Sequence, residues 1–261
     1  MEFKTLEFGS SIWFSSVGIT LLIGCIMIAI GLSLSNRDHK ILFAKCIGVF
    51  LFIRLIFNHA YEVGVAATTI DPLLNPGWSI YVHLPLHLCG LSSILCILIM
   101  FKYNQKVFNF LALIGIPSAI HSIITPQWTN SYEFHDFRFY EFFVTHGAIL
   151  FVPLFLMFVL GYRVSKNSVL NVFIQCVVFS IFSGLVNFIL NFDWASFKYP
   201  VDFVTGHNAN YLYLCIAPDN NNPLLITDKW PYYIPIVIFF GLLHILAFYY
   251  FFNMIKKVQN D

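Results

Sequence analysis

Charge is what this sequence has least of. Asp, Glu, Lys and Arg make up 10% of the 261 residues and hydrophobic residues 59%, whereas a soluble domain carries about 25% charged residues. A soluble globular fold is excluded, and an integral membrane protein follows. The net charge of +1 leaves no basic excess, so no nucleic-acid partner is expected. The first ten residues carry Glu2, Lys4 and Glu7 rather than the basic start of a cleaved signal peptide, and the apolar run behind them is long enough to span, so it is expected to stay as a helix. There is no Cys-x-x-Cys and no His-Glu-x-x-His, the spacings that announce zinc. The last apolar stretch has no lysine before Lys256, and so offers no buried amine for a retinal-type Schiff base. No internal repeat is present, and the nearest thing to low complexity is the turn-forming cluster from Asp219 to Pro223.

What is there is a series of hydrophobic runs. They predict an all-α membrane protein of seven transmembrane helices, forming a single domain over residues 1–261, with spans at Ser11 to Ser33, Ile41 to Val63, His83 to Phe101, Val107 to Ile124, Phe139 to Tyr162, Val169 to Asn191 and Tyr232 to Ile255. Gly115 and Pro117 predict a kink in the fourth, or a tilt against its neighbours. Arg37, Lys40, Lys102, Lys106, Arg163, Lys166, Lys256 and Lys257 fall on one side, and only Lys4, Arg138, Lys198 and Lys229 on the other. The positive-inside rule then puts the N-terminus outside and the C-terminus in the cytoplasm. A long outer loop, 192–231, carries Trp194, Tyr199, Tyr211, Tyr213 and Trp230 and is expected to lie over the outer end of the bundle.

Polar residues gather toward that outer end. His83 and His87 are four residues apart, which on a helix would put them on one face. Cys89 follows them. A third span entered at His83 places Cys89 six residues in, about 9 Å, and a fifth entered at Phe139 places His146 seven residues in, about 10 Å. His59 and Glu62 close the second span with Arg54 below them, His121 closes the fourth, and Asn187 nears the outer end of the sixth. Arg54 is too costly to face lipid and is expected to pair with Glu62 or with another outer acid such as Glu141. Cys25, Cys46, Cys96 and Cys176 read as packing residues.

A cysteine with a nearby histidine is the minimum for nucleophilic acyl transfer, because the thiolate attacks and a base supplies it. His83 and His87 with His146 or Cys89 would be a metal alternative, but without a zinc spacing no metal and no cofactor is expected.

The stretches His83-Leu84-Pro85-Leu86-His87-Leu88-Cys89, Thr125-Pro126, Phe142-Phe143-Val144-Thr145-His146-Gly147 and Asn208-Ala209-Asn210-Tyr211-Leu212-Tyr213-Leu214, with Pro218 after them, resemble the YwaF-like bacterial integral membrane family. That family is similar to the animal transmembrane acyltransferase of ether-phospholipid remodelling and, more distantly, to the androgen-induced hydrolases of fatty-acid esters. The resemblance implies Cys89 as nucleophile and His146 as its partner, and a bacterial cytoplasmic membrane as the location. It implies membrane lipids as partners: a phospholipid acyl donor, with a lysolipid or water as acceptor. Asn210 and Tyr211 match the loop motif.

The leading expectation is thus a phospholipid acyltransferase or lipid-ester hydrolase with Cys89 and His146 catalytic. His83, His87, Arg54, His59, Glu62, His121, Asn187, Asn210 and Tyr211 would bind substrate or support the site, with oxyanion donors sought among His87, Asn187 and Tyr211. The rival is a transporter or ligand-binding protein whose Arg54, Glu62 and histidines line an outer-facing cavity. The topology is testable by paired reporter fusions, one active only in the cytoplasm and one only outside. A C-terminal fusion should report from the cytoplasm, and a signal from outside would overturn the orientation.

Overall fold

In the computed structural model, the residues described are 9–68, 77–124, 137–193, 195–198, 208–217 and 226–258. They form an all-helical bundle with no strand among them. Its helices are α1 (Ser11–Ser33), α2 (Arg37–Thr68), α3 (Leu88–Phe101), α4 (Gln105–Ile124), α5 (Phe137–Phe158), α6 (Ser168–Asn191) and α7 (Tyr233–Val258). Six are long and apolar enough to cross a membrane, and α3 is shorter. The centre is α4 and α5, whose apolar windows are 67% and 61% buried against 6% to 22% for the other long helices. Chain direction alternates, so α2 and α6 end where α3, α5 and α7 begin. That end, called the upper end below, is the one expected to face outward.

Hydrophobic length fixed most of these helices, and local chemistry moved their ends. The expected third span began at His83, but α3 starts at Leu88 with His87 as its N-cap. Pro85 is the reason: it has no N–H to give a helix and forces Leu84 out of the helical region. Residues 79–87 instead fold as turns, with the Leu86 N–H on the Leu84 carbonyl at 2.7 Å. His83 and His87 therefore do not share a helical face. Similarly, α5 was expected to reach Tyr162, but it stops at Phe158, and the chain turns at Gly161 with φ +78°.

Where a kink or tilt was expected, α4 carries a π-helical segment, Leu111–Gly115, that ends two residues before Pro117. Proline cannot donate to the preceding turn and its ring pushes that turn open, so the ladder there shifts register.

Glycine lets α1 close on α5. A Cβ at Gly24 would stand 2.2 Å from the Phe151 ring, and one at Gly31 would stand 2.6 Å from Phe155, while Gly147 receives Thr20 from the other side. Small residues permit this approach where no hydrophobic effect drives helices together in lipid. The Trp13 indole N–H anchors the top of α1 to the Ile123 carbonyl at 3.0 Å.

Overpacking in a core of this kind costs about 1–3 kcal/mol. Gly24→Ala should lower the thermal midpoint of the purified protein by several degrees, while Gly18→Ala, whose Cβ would meet nothing within 4 Å, should leave it unchanged. Equal midpoints for the two variants would contradict the α1–α5 packing.

Candidate functional site

The upper half of the bundle holds two charged clusters between α2 and α5, and α3 packs on each of these helices. In the deeper cluster the Arg54 guanidinium bonds Glu141 and Thr145 on α5 and donates to the Ser93 hydroxyl on α3 at 2.7 Å. The Thr145 hydroxyl donates to Glu141 at 2.9 Å. Of the two acids expected for Arg54, Glu141 is its partner. Glu62 is taken by Arg138, which donates from Nε at 2.6 Å and from a terminal nitrogen at 2.5 Å, a two-pronged pairing that suits a planar guanidinium.

Around Glu62 lie several of the expected site residues. His83 Nε2 is 3.6 Å from the Glu62 carboxylate and its Nδ1 accepts from the Ser79 N–H at 3.1 Å. Burial pushes His83 below the usual imidazole value, against the pull of Glu62. The Trp78 indole donates to His59 at 3.2 Å. These groups form one cluster at the top of α2, and His87 is not in it. His121 is elsewhere again: its Nε2 meets Nε2 of His244 on α7 at 2.8 Å.

His87 belongs to a third assembly, built on α6. Ser183, Asn187 and Asn191 recur every four residues along one face of that helix, all buried. Asn187 grips Tyr211 at both backbone groups, donating to its carbonyl at 3.0 Å and accepting its N–H at 2.9 Å, and Asn191 does the same to Ala209 at 2.8 and 2.7 Å. Ser183 donates to the Leu86 carbonyl at 3.3 Å. The Tyr211 hydroxyl, in turn, accepts from the Leu84 N–H at 3.1 Å and donates to the Ile80 carbonyl at 2.6 Å. Residues 208–217 and the turns before α3 are thus tied to α6 and to each other.

Within the tied segment, Leu212 and Tyr213 have φ of +56° and +54°, a left-handed conformation that costs a bulky residue about 1–2 kcal/mol. They are held by the Tyr233 hydroxyl on the Tyr213 carbonyl at 2.5 Å and by the Trp230 indole on the Leu214 carbonyl at 3.0 Å. Asn210 accepts the N–H groups of Cys215 and Ile216 at 3.0 and 3.1 Å. Under this turn lies the His87 ring, 5.4 Å from that of Tyr211 and 5.3 Å from that of Tyr213. Burial pushes His87 down to about 4, so it is neutral at pH 7.

Cys89 is the second residue of α3, half-buried, with its sulfur against the backbone N–H groups of Cys89 and Gly90 and within electrostatic reach of Tyr213. The first N–H groups of a helix have no partner inside it, and they favour negative charge.

The later start of α3 changes the depth comparison. Ser93 and Thr145 both bond Arg54, which sets the register of α3 against α5. Cys89 is four residues above Ser93 and His146 one below Thr145, so the two are offset by about 7 Å along the helices rather than level. Among the described residues they share no hydrogen bond. His146 is buried, and its Nδ1 is 2.8 Å from the Phe142 carbonyl. A carbonyl only accepts, so Nδ1 carries a proton, and in the neutral tautomer this fixes, the lone pair is on Nε2.

Cys89, His146 and His87 were expected from the sequence as nucleophile, partner and supporting residue, and their hydrogen-bond partners were not. Sequence reading passed over Arg138, Ser93, Ser183 and Asn191. The polar residues spaced by four in an otherwise apolar α6 were the available signal for the last two. The Thr125-Pro126 pair and Pro218 lie outside the described residues.

The chain matches the model of the TMEM164 family over residues 7–250. No curated protein and no solved structure matches it.

Removing one partner of a buried ion pair costs about 3–5 kcal/mol, because the other charge is stranded. Arg54→Met should therefore destabilise the protein strongly in a thermal unfolding assay, and Arg54→Met with Glu141→Gln should recover much of the loss. A double variant no more stable than the single one would show that Glu141 does not depend on Arg54.

Proposed function

The chain belongs to the TMEM164 family, a family of transmembrane proteins, and on that premise we propose that it is a membrane-embedded acyltransferase or lipid-ester hydrolase acting through Cys89. The observation that carries the reading is the setting of this thiol. It stands at the N-terminus of α3 against the backbone N–H groups of Cys89 and Gly90, within electrostatic reach of Tyr213 in the 208–217 turn, and on a helix packed against the one that bears His146. Its likeness to the YwaF-like proteins and to the animal ether-phospholipid acyltransferase supports the same chemistry.

In the proposed reaction His146 Nε2 takes the Cys89 proton, through a water that spans the offset between them. The thiolate attacks the ester carbonyl of a glycerolipid, a C–S bond forms, and the carbonyl pair moves onto oxygen. Collapse breaks the ester C–O bond, and the leaving lysolipid alkoxide takes the proton from His146. A second lysolipid, or water, then gives its proton to His146 and attacks the acyl thioester, and the released thiolate takes that proton back from His146. The ester works at the upper end of the bundle, where the acyl chains can stay in the lipid. In the proposed setting that end faces outward from a bacterial cytoplasmic membrane.

The charged groups support this reading over a transporter. Arg54, Glu141, Glu62 and Arg138 are paired with one another between α2 and α5, as a clasp would be, whereas a solute pathway needs charges left to meet the solute.

The test is lipid turnover by the purified protein in vesicles of phosphatidylcholine with added lysolipid. Wild type should transfer or release acyl chains. Cys89→Ala should abolish this and leave thermal stability within about 1 kcal/mol of wild type, as a half-buried Cys to Ala change is small. Equal turnover in the two would discard the thiol mechanism.

A further inference from the structure

We propose that His87 is an oxyanion donor of this site, and that the 208–217 segment is the device that holds it in the donating tautomer. The inference rests on the acyl-transfer reading above. It starts from a census of the donors around Cys89. Asn187 has both ends of its amide committed to Tyr211. The Tyr211 hydroxyl proton is committed to the Ile80 carbonyl. Neither can turn to a reacting carbonyl without releasing the segment. His87 differs. Its Nδ1 accepts the Leu212 N–H at 3.4 Å, so Nδ1 holds a lone pair and the ring proton is on Nε2. His87 is the N-cap of α3 and its side chain caps none of the first N–H groups, so it stands two residues before Cys89 with its Nε2–H not spent on the helix end.

The left-handed turn now has a purpose. Leu212 and Tyr213 are held at positive φ by bonds from Asn187, Tyr233 and Trp230, and the result is that the Leu212 N–H points at His87 rather than into a helix. The two histidines are therefore set in opposite tautomers by their backbone partners. His146 donates a hydrogen bond from Nδ1–H to the Phe142 carbonyl and keeps a basic Nε2, while His87 accepts the Leu212 N–H at Nδ1 and keeps a donating Nε2. One is arranged to accept a proton, the other to stabilise negative charge on oxygen. When the thiolate attacks, the pair that leaves the C=O bond develops charge on the ester oxygen, and His87 Nε2–H with the Gly90 N–H would receive it, as preorganised donors do in acyl transfer.

Two reactions of the same thiol separate this role from a structural one. Alkylation of Cys89 by iodoacetamide is a displacement at carbon and makes no oxyanion. Acylation of Cys89 by a p-nitrophenyl ester passes through one. In His87→Ala, acylation should slow by about 10²- to 10³-fold, the loss typical of one oxyanion donor, while alkylation stays within about twofold of wild type. His87→Gln, whose amide can accept from Leu212 and donate from its nitrogen, should regain part of the acylation rate. If both reactions slow together in His87→Ala and His87→Gln alike, His87 supports the fold and the donor role is wrong. If acylation is unchanged in His87→Ala, the role is also wrong. If wild-type Cys89 is alkylated but is not acylated by the ester, the acyl-transfer reading itself fails, which is a separate result from either of these.

Discussion

Backbone that leaves a helix at the edge of a bilayer must find its hydrogen bonds inside the protein, because lipid supplies none. In this molecule that constraint is met by α6. Ser183, Asn187 and Asn191 act as a comb of side-chain amides and a hydroxyl, and the carbonyls and N–H groups of residues 86, 209 and 211 are its partners. Everything at the upper end follows from the comb. Tyr211 is fixed, and through its hydroxyl so are the turns before α3. The position of those turns decides where α3 begins, and hence that Cys89 lies at a helix N-terminus instead of a turn and a half inside a span. The same bonds hold Leu212 and Tyr213 in a conformation they would not choose alone.

The second organising feature is the pair of ionic contacts between α2 and α5. Each helix contributes one cation and one anion, with Glu62 meeting Arg138 near the top and Arg54 meeting Glu141 deeper down. α3 packs on each of these helices and shares the deeper contact through Ser93. Buried pairs of this kind add little net stability over an apolar packing. What they impose is register: they set the height of α3 against α5, and so the spacing between Cys89 and His146. The glycine-mediated closure of α1 on α5 performs a related task with shape alone.

Much of the fold was legible in the sequence, because hydrophobic length is a direct readout of the bilayer. Ser11 to Ser33 came out to the residue, and a kink or tilt near Pro117 was expected from the proline itself. The start of α3 was not, since an apolar run continues through Leu84 and Leu86 and only the backbone consequences of Pro85 interrupt it. Depth arguments inherit that error, which is why Cys89 and His146 were expected level. The identities of Cys89, His87 and Asn187 could be read from polar residues out of place in apolar surroundings. Their partners could not. Whether Arg54 meets Glu62 or Glu141 depends on the rotation of α5 about its axis, and the tautomer of each histidine depends on a backbone group distant in sequence or one turn away.

The central claim is that Cys89 carries an acyl chain during turnover. The most direct test is peptide mass analysis of wild-type protein taken from phospholipid vesicles under acidic quench. The account predicts a fraction of the Cys89 peptide heavier by one fatty acyl group, returning to the unmodified mass after neutral hydroxylamine, which cleaves thioesters. Protein that turns over lipid while its Cys89 peptide stays unmodified, or that carries the acyl group on another residue, would contradict it.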